Sequence, residues 1–341
     1  MSNAEGFILE KESFPNLISL LMKEADEVYG PKEVNAGVYD FRKINKPEEV
    51  RLGEVTTVTP PLKKVVRPPF EVLFKFKGEE IEVDYDSKIR AIVGVHPCDV
   101  NGLKLLDKAY SNAGKDPYYF SRRSNLIIVA ENCTRADDNC FCTSFDTGPE
   151  LREGYDLLMT DIGNRYLVEV GSVNGEKLVT KLNLPHAKDE DLKEKNTRIN
   201  LVKGTIRKKL NTVNLKRTME GSLYHPIWKE LGEKCLSCGI CSVVCPTCFC
   251  FEMDDKLNLD QKSGVRYRTW DSCMFFEYSE VALGGNFRRA RSARIRQFIN
   301  HKLNYWVDQF GTFGCVGCGR CIRQCPANID IVEVARRIGG S

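Results

Sequence analysis

No run of eighteen or more apolar residues occurs in the 341-residue chain, so no segment is long enough to span a bilayer as a helix. The longest apolar stretches, such as Leu126 to Ala130, are far shorter. Charge of one sign is also missing: 50 Lys and Arg stand against 47 Asp and Glu, a net +3. A dedicated nucleic-acid binder usually carries a strongly basic domain, so that class is disfavoured. The opening stretch, Met1 to Phe14, has acids where a signal peptide needs a basic start and an apolar run. No Gly-x-Gly-x-x-Gly follows a strand, Gly171 to Lys177 fails the phosphate-loop spacing, and neither His-Glu-x-x-His nor Gly-x-Ser-x-Gly occurs. Dinucleotide-binding, phosphate-loop, zinc-peptidase and serine-hydrolase readings therefore lack their motifs. Hydrophobic residues at 42% and charged residues at 28% are ordinary for a globular protein. The length suggests two domains, and the expected location is the cytoplasm, with no membrane insertion and no nucleic-acid partner.

Cysteine is absent from residues 1–97 and 143–234. All fifteen cysteines fall elsewhere, four between Cys98 and Cys142 and eleven between Cys235 and Cys325. Disulfide scaffolds belong to small chains in oxidising compartments, and neither condition fits. Clustered thiols in a reducing compartment point instead to metal. Cys235-x2-Cys238-x2-Cys241-x3-Cys245-Pro246 and Cys315-x2-Cys318-x2-Cys321-x3-Cys325-Pro326 are two copies of the bacterial ferredoxin run. In such a run three thiols wrap one cubane while the fourth reaches its neighbour. One [4Fe–4S] cluster then takes Cys235, Cys238, Cys241 and Cys325, and the other takes Cys315, Cys318, Cys321 and Cys245. Gly239, Gly314, Gly317 and Gly319 suit close backbone approach to the inorganic sulfides. Zinc is the alternative, but zinc sites favour two-plus-two spacing.

Phe14, Leu17, Ile18, Leu21, Ala25 and Val28 form a helical apolar stripe after Ser13, stopped by Gly30-Pro31. Phe70 to Phe76 and Ile81 to Val83 flank a Lys77-Gly78-Glu79-Glu80 turn, which predicts a β-hairpin. Ile89 to Val95 and Leu126 to Ala130 read as buried strands, with a helix from Val100 to Tyr110 between them. Cys98 follows the first strand and Cys133 the second, so parallel pairing delivers both to one sheet edge. Cys140 and Cys142 share the loop of Cys133. This set of four favours a third [4Fe–4S] cluster over zinc or inert thiols. His96 reads as a ligand, a hydrogen-bond donor to sulfur, or a packed side chain. A further hairpin is expected from Tyr166 to Val179 around Asn174-Gly175, and then a charged helical connector to about Met219.

The expected fold class is α+β or α/β: an N-terminal mixed α/β domain, then a ferredoxin-like bis-[4Fe–4S] domain with a long insertion. The boundaries are 1–185 for the first domain with its Cys₄ site, 186–221 for the connector and 222–341 for the second domain. Sixty-nine residues separate Cys245 from Cys315, and they include Cys248, Cys250 and Cys273. Those three are either buried thiols or ligands, one short of a closed Cys₄ shell. Arg288, Arg289, Arg291, Arg294 and Arg296 read first as a solvated helix face. The alternative is a counter-charge to clusters or a dock for an acidic partner.

Taken together, Gly94-Val95-His96-Pro97-Cys98-Asp99, Arg122-Arg123, Cys140-Phe141-Cys142, Cys245-Pro246-Thr247-Cys248-Phe249-Cys250, Trp270-Asp271-Ser272-Cys273 and Cys315-Val316-Gly317-Cys318-Gly319-Arg320-Cys321 resemble the iron–sulfur β subunit of cytoplasmic sulfhydrogenases. The related iron–sulfur subunit of anaerobic sulfite reductase is similar. The resemblance runs from about residue 7 to residue 336. It implies an electron-transfer subunit, not catalytic alone, between two partners. One is a flavoprotein subunit that carries FAD and oxidises NAD(P)H; the other is a catalytic subunit, with nickel–iron in hydrogenases or sirohaem in the sulfite enzyme. It also implies that Cys98, Cys133, Cys140 and Cys142 belong together and that Cys248, Cys250 and Cys273 are functional, giving at least two [4Fe–4S] clusters, and three or four if every set is filled. Where such proteins read Ala-Gly-Gly-His-Asn-Phe-Arg, this chain has Ala282-Leu283-Gly284-Gly285-Asn286-Phe287-Arg288, so no role of that His carries over. Two other readings stay open: a reductase of a small sulfur compound acting at the N-terminal cluster, and a ferredoxin module whose front Cys₄ set is structural zinc.

Overall fold

The computed structural model describes residues 6–53, 59–112 and 114–339, so the first five residues of the acidic opening stretch lie outside the described residues. β1 (Gly6–Glu10), α1 (Phe14–Glu24), β2 (Glu27–Asn35), β3 (Val38–Lys43) and α2 (Pro61–Val66) precede β4 (Phe70–Lys77) and β5 (Glu80–Glu82). Next come β6 (Arg90–Val95), α3 (Pro97–Ser111), α4 (Pro117–Ser124), β7 (Leu126–Glu131), β8 (Leu157–Asp161), β9 (Arg165–Val170) and α5 (Val173–Leu182). Seven of these strands form a mixed sheet in the order β1-β9-β8-β7-β6-β2-β3. β2, β6, β7 and β8 run parallel, and antiparallel β9, β1 and β3 extend the two sides.

Every residue of β6 and β7 is buried, because helices cover both faces of the sheet. Ala91, Val93, Ile127 and Val129 point into a core with Leu17, Ile18 and Leu21 of α1 and Leu178 of α5. Ile92, Val95 and Ile128 meet Leu62 of α2 and Leu103 and Leu106 of α3 on the opposite side. Two local expectations are corrected. The helix built on the apolar stripe ends at Glu24, and Gly30-Pro31 lie inside β2. Asn174-Gly175 do not form a hairpin: the Ser172 hydroxyl accepts from Gly175 N–H at 3.1 Å and starts α5 instead, an N-cap outcompeting a turn dipeptide.

The charged stretch expected as a connector forms α6 (Asp189–Thr205), with Ile199 and Val202 buried. Its Lys195 ammonium lies 2.8 Å from Glu169 on β9 and 3.3 Å from Glu150, so this helix is docked on the sheet. Lys195→Met leaves the buried Glu169 carboxylate uncompensated. It is expected to destabilise the chain by about 3 kcal/mol, read as a lowered midpoint in anaerobic thermal unfolding; an unchanged midpoint would show the pair to be idle.

The remaining elements are α7 (Leu215–Glu220), α8 (Ile227–Lys234), α9 (Ile240–Val243), β10 (Phe251–Leu257), β11 (Ser263–Trp270), α10 (Arg291–Asn300), α11 (Trp306–Phe310), α12 (Arg320–Arg323) and α13 (Ile331–Gly339). A π-helical turn, His301–Tyr305, joins α10 to α11. The expected hairpin β4–β5 is present, and it does not stand alone. A four-stranded sheet runs β10-β11-β4-β5, with Thr269 opposite Phe70 and Ser263 opposite Lys77. The insertion between the ferredoxin runs thus completes a sheet begun near residue 70. Glu71, buried at the joint, pairs with both Arg122 and Arg268.

Candidate metal centres

The two ferredoxin runs fold alike. Ser237 N–H donates to Cys235 Sγ and Gly317 N–H to Cys315 Sγ, each at 3.4 Å, and each run enters a short helix, α9 or α12. Cys235, Cys238 and Cys241 line one cavity with Cys325 and Cys321 from the far run. Met274, Ile295, Phe298 and Ile329 supply an apolar wall. Soft sulfur donors in an apolar cavity are the donor set that an iron–sulfur cubane requires. Cys315, Cys318 and Cys321 are neighbours of Cys245 from the first run. Burial pushes the Cys315 thiol up to about 12, so cluster binding at this set is coupled to proton release. Among the described residues no group of three or more His, Cys, Asp and Glu side chains is arranged to hold a single metal ion.

Parallel pairing of β6 with β7, with Val95 beside Ala130, ends both strands at one edge. Cys98 then opens α3, and Cys133, Cys140 and Cys142 follow β7 in one loop, all four becoming neighbours. Burial pushes Cys98 and Cys133 well above the ordinary thiol range, Cys140 up to about 11 and Cys142 up to about 12. His96 is buried and precedes α3, where its backbone N–H donates to the Asp99 carboxylate at 3.4 Å.

This loop docks directly on the second ferredoxin run. Phe141 N–H donates to Gly317 O at 2.8 Å, and Thr147 Oγ1 donates to Val316 O at 2.7 Å. A Cβ on Gly317 would come within 2.6 Å of the Phe141–Cys142 backbone, and one on Gly319 within 2.3 Å of Asn139 O. Both glycines also have left-handed φ, +63° and +71°. At these two positions the close approach is to protein backbone rather than to inorganic sulfide. Across the same seam Arg320 of α12 pairs with Asp99 of α3 at 2.8 Å, both about 1% exposed. Arg320 lies within electrostatic reach of Cys318 on one side and Cys98 on the other.

The insertion carries its three cysteines to a third location. Phe251 opposite Trp270 in the β10–β11 register puts Cys250 and Cys273 at one end of that hairpin. Cys250 lies within hydrogen-bonding reach of Cys248, Cys273 and the Tyr278 hydroxyl. Three buried cations that sequence reasoning missed stand nearby. Lys63 Nζ donates to the carbonyls of Ser242 and Val243 at 3.1 Å and of Cys245 at 3.2 Å, and lies 4.1 Å over the Trp270 ring. Burial pushes this ammonium down to about 8, opposed by Cys248 and Cys245. Arg67 Nη2 donates to Cys250 O at 3.0 Å, and Lys302 Nζ donates to Thr247 Oγ1 at 2.9 Å. The arginine segment is only in part a solvated face: Arg289 and Arg291 are exposed, yet Arg291 donates to Cys235 O at 3.0 Å and buried Arg294 to Ser237 Oγ at 3.2 Å, gripping the first run.

Residues 234–329 match the family model described as a 4Fe-4S dicluster domain. Over 329 residues the chain is 38% identical to sulfhydrogenase 2 subunit beta of Pyrococcus furiosus, with 96% of each chain covered. The chain belongs to the sulfhydrogenase β-subunit family. This β-subunit homologue is an iron–sulfur electron-transfer subunit with at least two [4Fe–4S] clusters. No solved structure matches it. No helix among the described residues is long and apolar enough to cross a membrane. The matched dicluster segment contains both ferredoxin runs and Cys248, Cys250 and Cys273, whereas the Cys98, Cys133, Cys140 and Cys142 set lies outside it.

Proposed function

We propose that this subunit relays single electrons in the cytoplasm between a flavoprotein subunit, which carries FAD and oxidises NAD(P)H, and a catalytic subunit of the hydrogenase or sulfite/sulfur reductase type. Three [4Fe–4S] clusters carry the relay. Cys98, Cys133, Cys140 and Cys142 hold one within residues 1–185. Cys235, Cys238, Cys241 and Cys325 hold a second, and Cys315, Cys318, Cys321 and Cys245 a third, both within 222–341. The observation that supports a continuous relay is the seam, where Phe141, between two thiols of the front set, donates to Gly317 O, between two thiols of the second run.

A bound cluster supplies one-electron transfer at each set. The chain's own residues fix the positions and tune the energetics. Amide donors at Ser237 and Gly317 face sulfur. An apolar wall of Met274, Ile295, Phe298 and Ile329 surrounds Cys235 and Cys241, and Arg320 offers positive charge between two sets.

Cys133→Ala in the anaerobically purified subunit is expected to remove about four irons per chain and one paramagnetic signal of the reduced protein. Loss of one zinc with iron unchanged would assign the front set to zinc and break the relay. Turnover of polysulfide or sulfite by the isolated subunit would move catalysis into this chain.

A further inference from the structure

Three basic side chains are buried around Cys248 and Cys250, and among the described residues no acid pairs with any of them. Lys63, Arg67 and Lys302 are 3%, 1% and 3% exposed. Among the described residues their polar partners are backbone carbonyls and the Thr247 hydroxyl, which solvate a charge and do not neutralise it. Two donor nitrogens of Arg67, Nε and Nη1, are buried without a hydrogen-bond partner among the described residues. The three cations also lie within electrostatic reach of one another, Arg67 and Lys302 both disfavouring charge on Lys63. Buried charges of one sign persist only when an opposite charge is present beside them. What stands beside these cations is mainly sulfur: Cys248 and Cys245 for Lys63, Cys248 and Cys250 together with the Tyr110 hydroxyl for Arg67, and Cys245, Cys248, Cys250 and Cys315 for Lys302.

We propose that Cys248, Cys250 and Cys273 hold a fourth iron–sulfur cluster on three thiolates, and that Lys63, Arg67 and Lys302 are its counter-charge. The inference rests on the relay reading for the identity of the other sets. Twelve of the fifteen cysteines are assigned to four-thiol sets, so this cluster has three thiolates, and any fourth position on it is not sulfur from cysteine. Ligation releases the three thiol protons and leaves a net negative group where the cations already wait. Lys63 and Lys302 are shared with Cys245, whereas the cysteines nearest Arg67 are Cys248 and Cys250, so Arg67 is the specific positioning charge of this site. The site is built from both halves of the chain: α2 brings Lys63 and Arg67, the β10–β11 hairpin brings Cys250 and Cys273, and the π-helical turn brings Lys302. π-turns inside helices recur where a side chain must be re-aimed.

The test uses the full-length subunit, purified anaerobically, and its Cys250→Ser and Arg67→Gln variants. Cys250→Ser is expected to lower iron by about three to four per chain and sulfide in step, removing one paramagnetic signal while those of the four-thiol sets persist. Arg67→Gln is expected to keep the iron and to shift the midpoint potential of that same signal downward, because a cation beside a cluster favours its reduced, more negative form. Iron, sulfide and spectra unchanged in Cys250→Ser would overturn the proposal, as would loss of a single metal ion without sulfide. If Cys250→Ser fails to fold, the Arg67→Gln potential decides: a shift confined to one signal supports the site, and no shift overturns it. Failure of the relay reading would appear elsewhere, as an unchanged iron content in Cys133→Ala.

Discussion

Cys325→Ala is expected to empty the cavity of the opposite ferredoxin run. Cys325 ends the second run, yet it lines the cavity of Cys235, Cys238 and Cys241, as does Cys321, and Ile329 N–H donates to its sulfur at 3.3 Å. Without that thiolate one cubane iron loses its protein ligand, and among the described residues lining the cavity no side chain offers a replacement oxygen or nitrogen. About four irons per chain are expected to leave, and the set of Cys315, Cys318, Cys321 and Cys245 keeps its cluster. The reciprocal variant, Cys245→Ala, should strip that second set and spare the first. Iron analysis with low-temperature magnetic resonance separates the two variants. If Cys325→Ala instead emptied the Cys315 set, the crossed pairing would be wrong.

The second large effect is expected at the seam. Arg320 and Asp99 form a fully buried ion pair at 2.8 Å, and removing one member of such a pair typically costs about 3–5 kcal/mol. The two halves are not equivalent. In Asp99→Asn the guanidinium keeps Cys98 and Cys318 as electrostatic partners, which softens the loss. In Arg320→Met the Asp99 carboxylate is left among thiolates of like sign, so this variant should be the less stable one. Its thermal midpoint is expected to fall by on the order of 10 °C. Equal destabilisation by the two variants would mean that the neighbouring sulfurs carry no charge at this seam.

The sequence carried the ferredoxin runs openly, because spacing within a few residues is enough to fix how thiols wrap a cubane. The front set was legible for a different reason: β6, α3 and β7 form a local strand–helix–strand unit, and parallel strands end at one edge. Misreadings arose where two local rules competed. Asn174-Gly175 is a turn dipeptide, but Ser172 two residues earlier makes it the first turn of a helix. Gly30-Pro31 is a helix stop, yet α1 had already ended and Ala25 is extended. Long-range features were out of reach. Nothing near Lys63 or Arg67 announces that they are buried against residues some 180 positions away, although their spacing of four places them on one helical face. The pairing of β4 with β11 across nearly two hundred residues is equally silent in the local pattern.

The four-stranded sheet has a consequence for how such a chain can be cut or shuffled. Severing it at the end of the charged helices would leave β11 with a bare edge where β4 now lies, and Arg268 without Glu71. An excised dicluster unit therefore inherits a sticky, unpaired strand. A transplant that carries residues 61–82 along with the C-terminal portion keeps the edge covered, which makes that short N-terminal piece the natural companion of any cassette engineered from this protein.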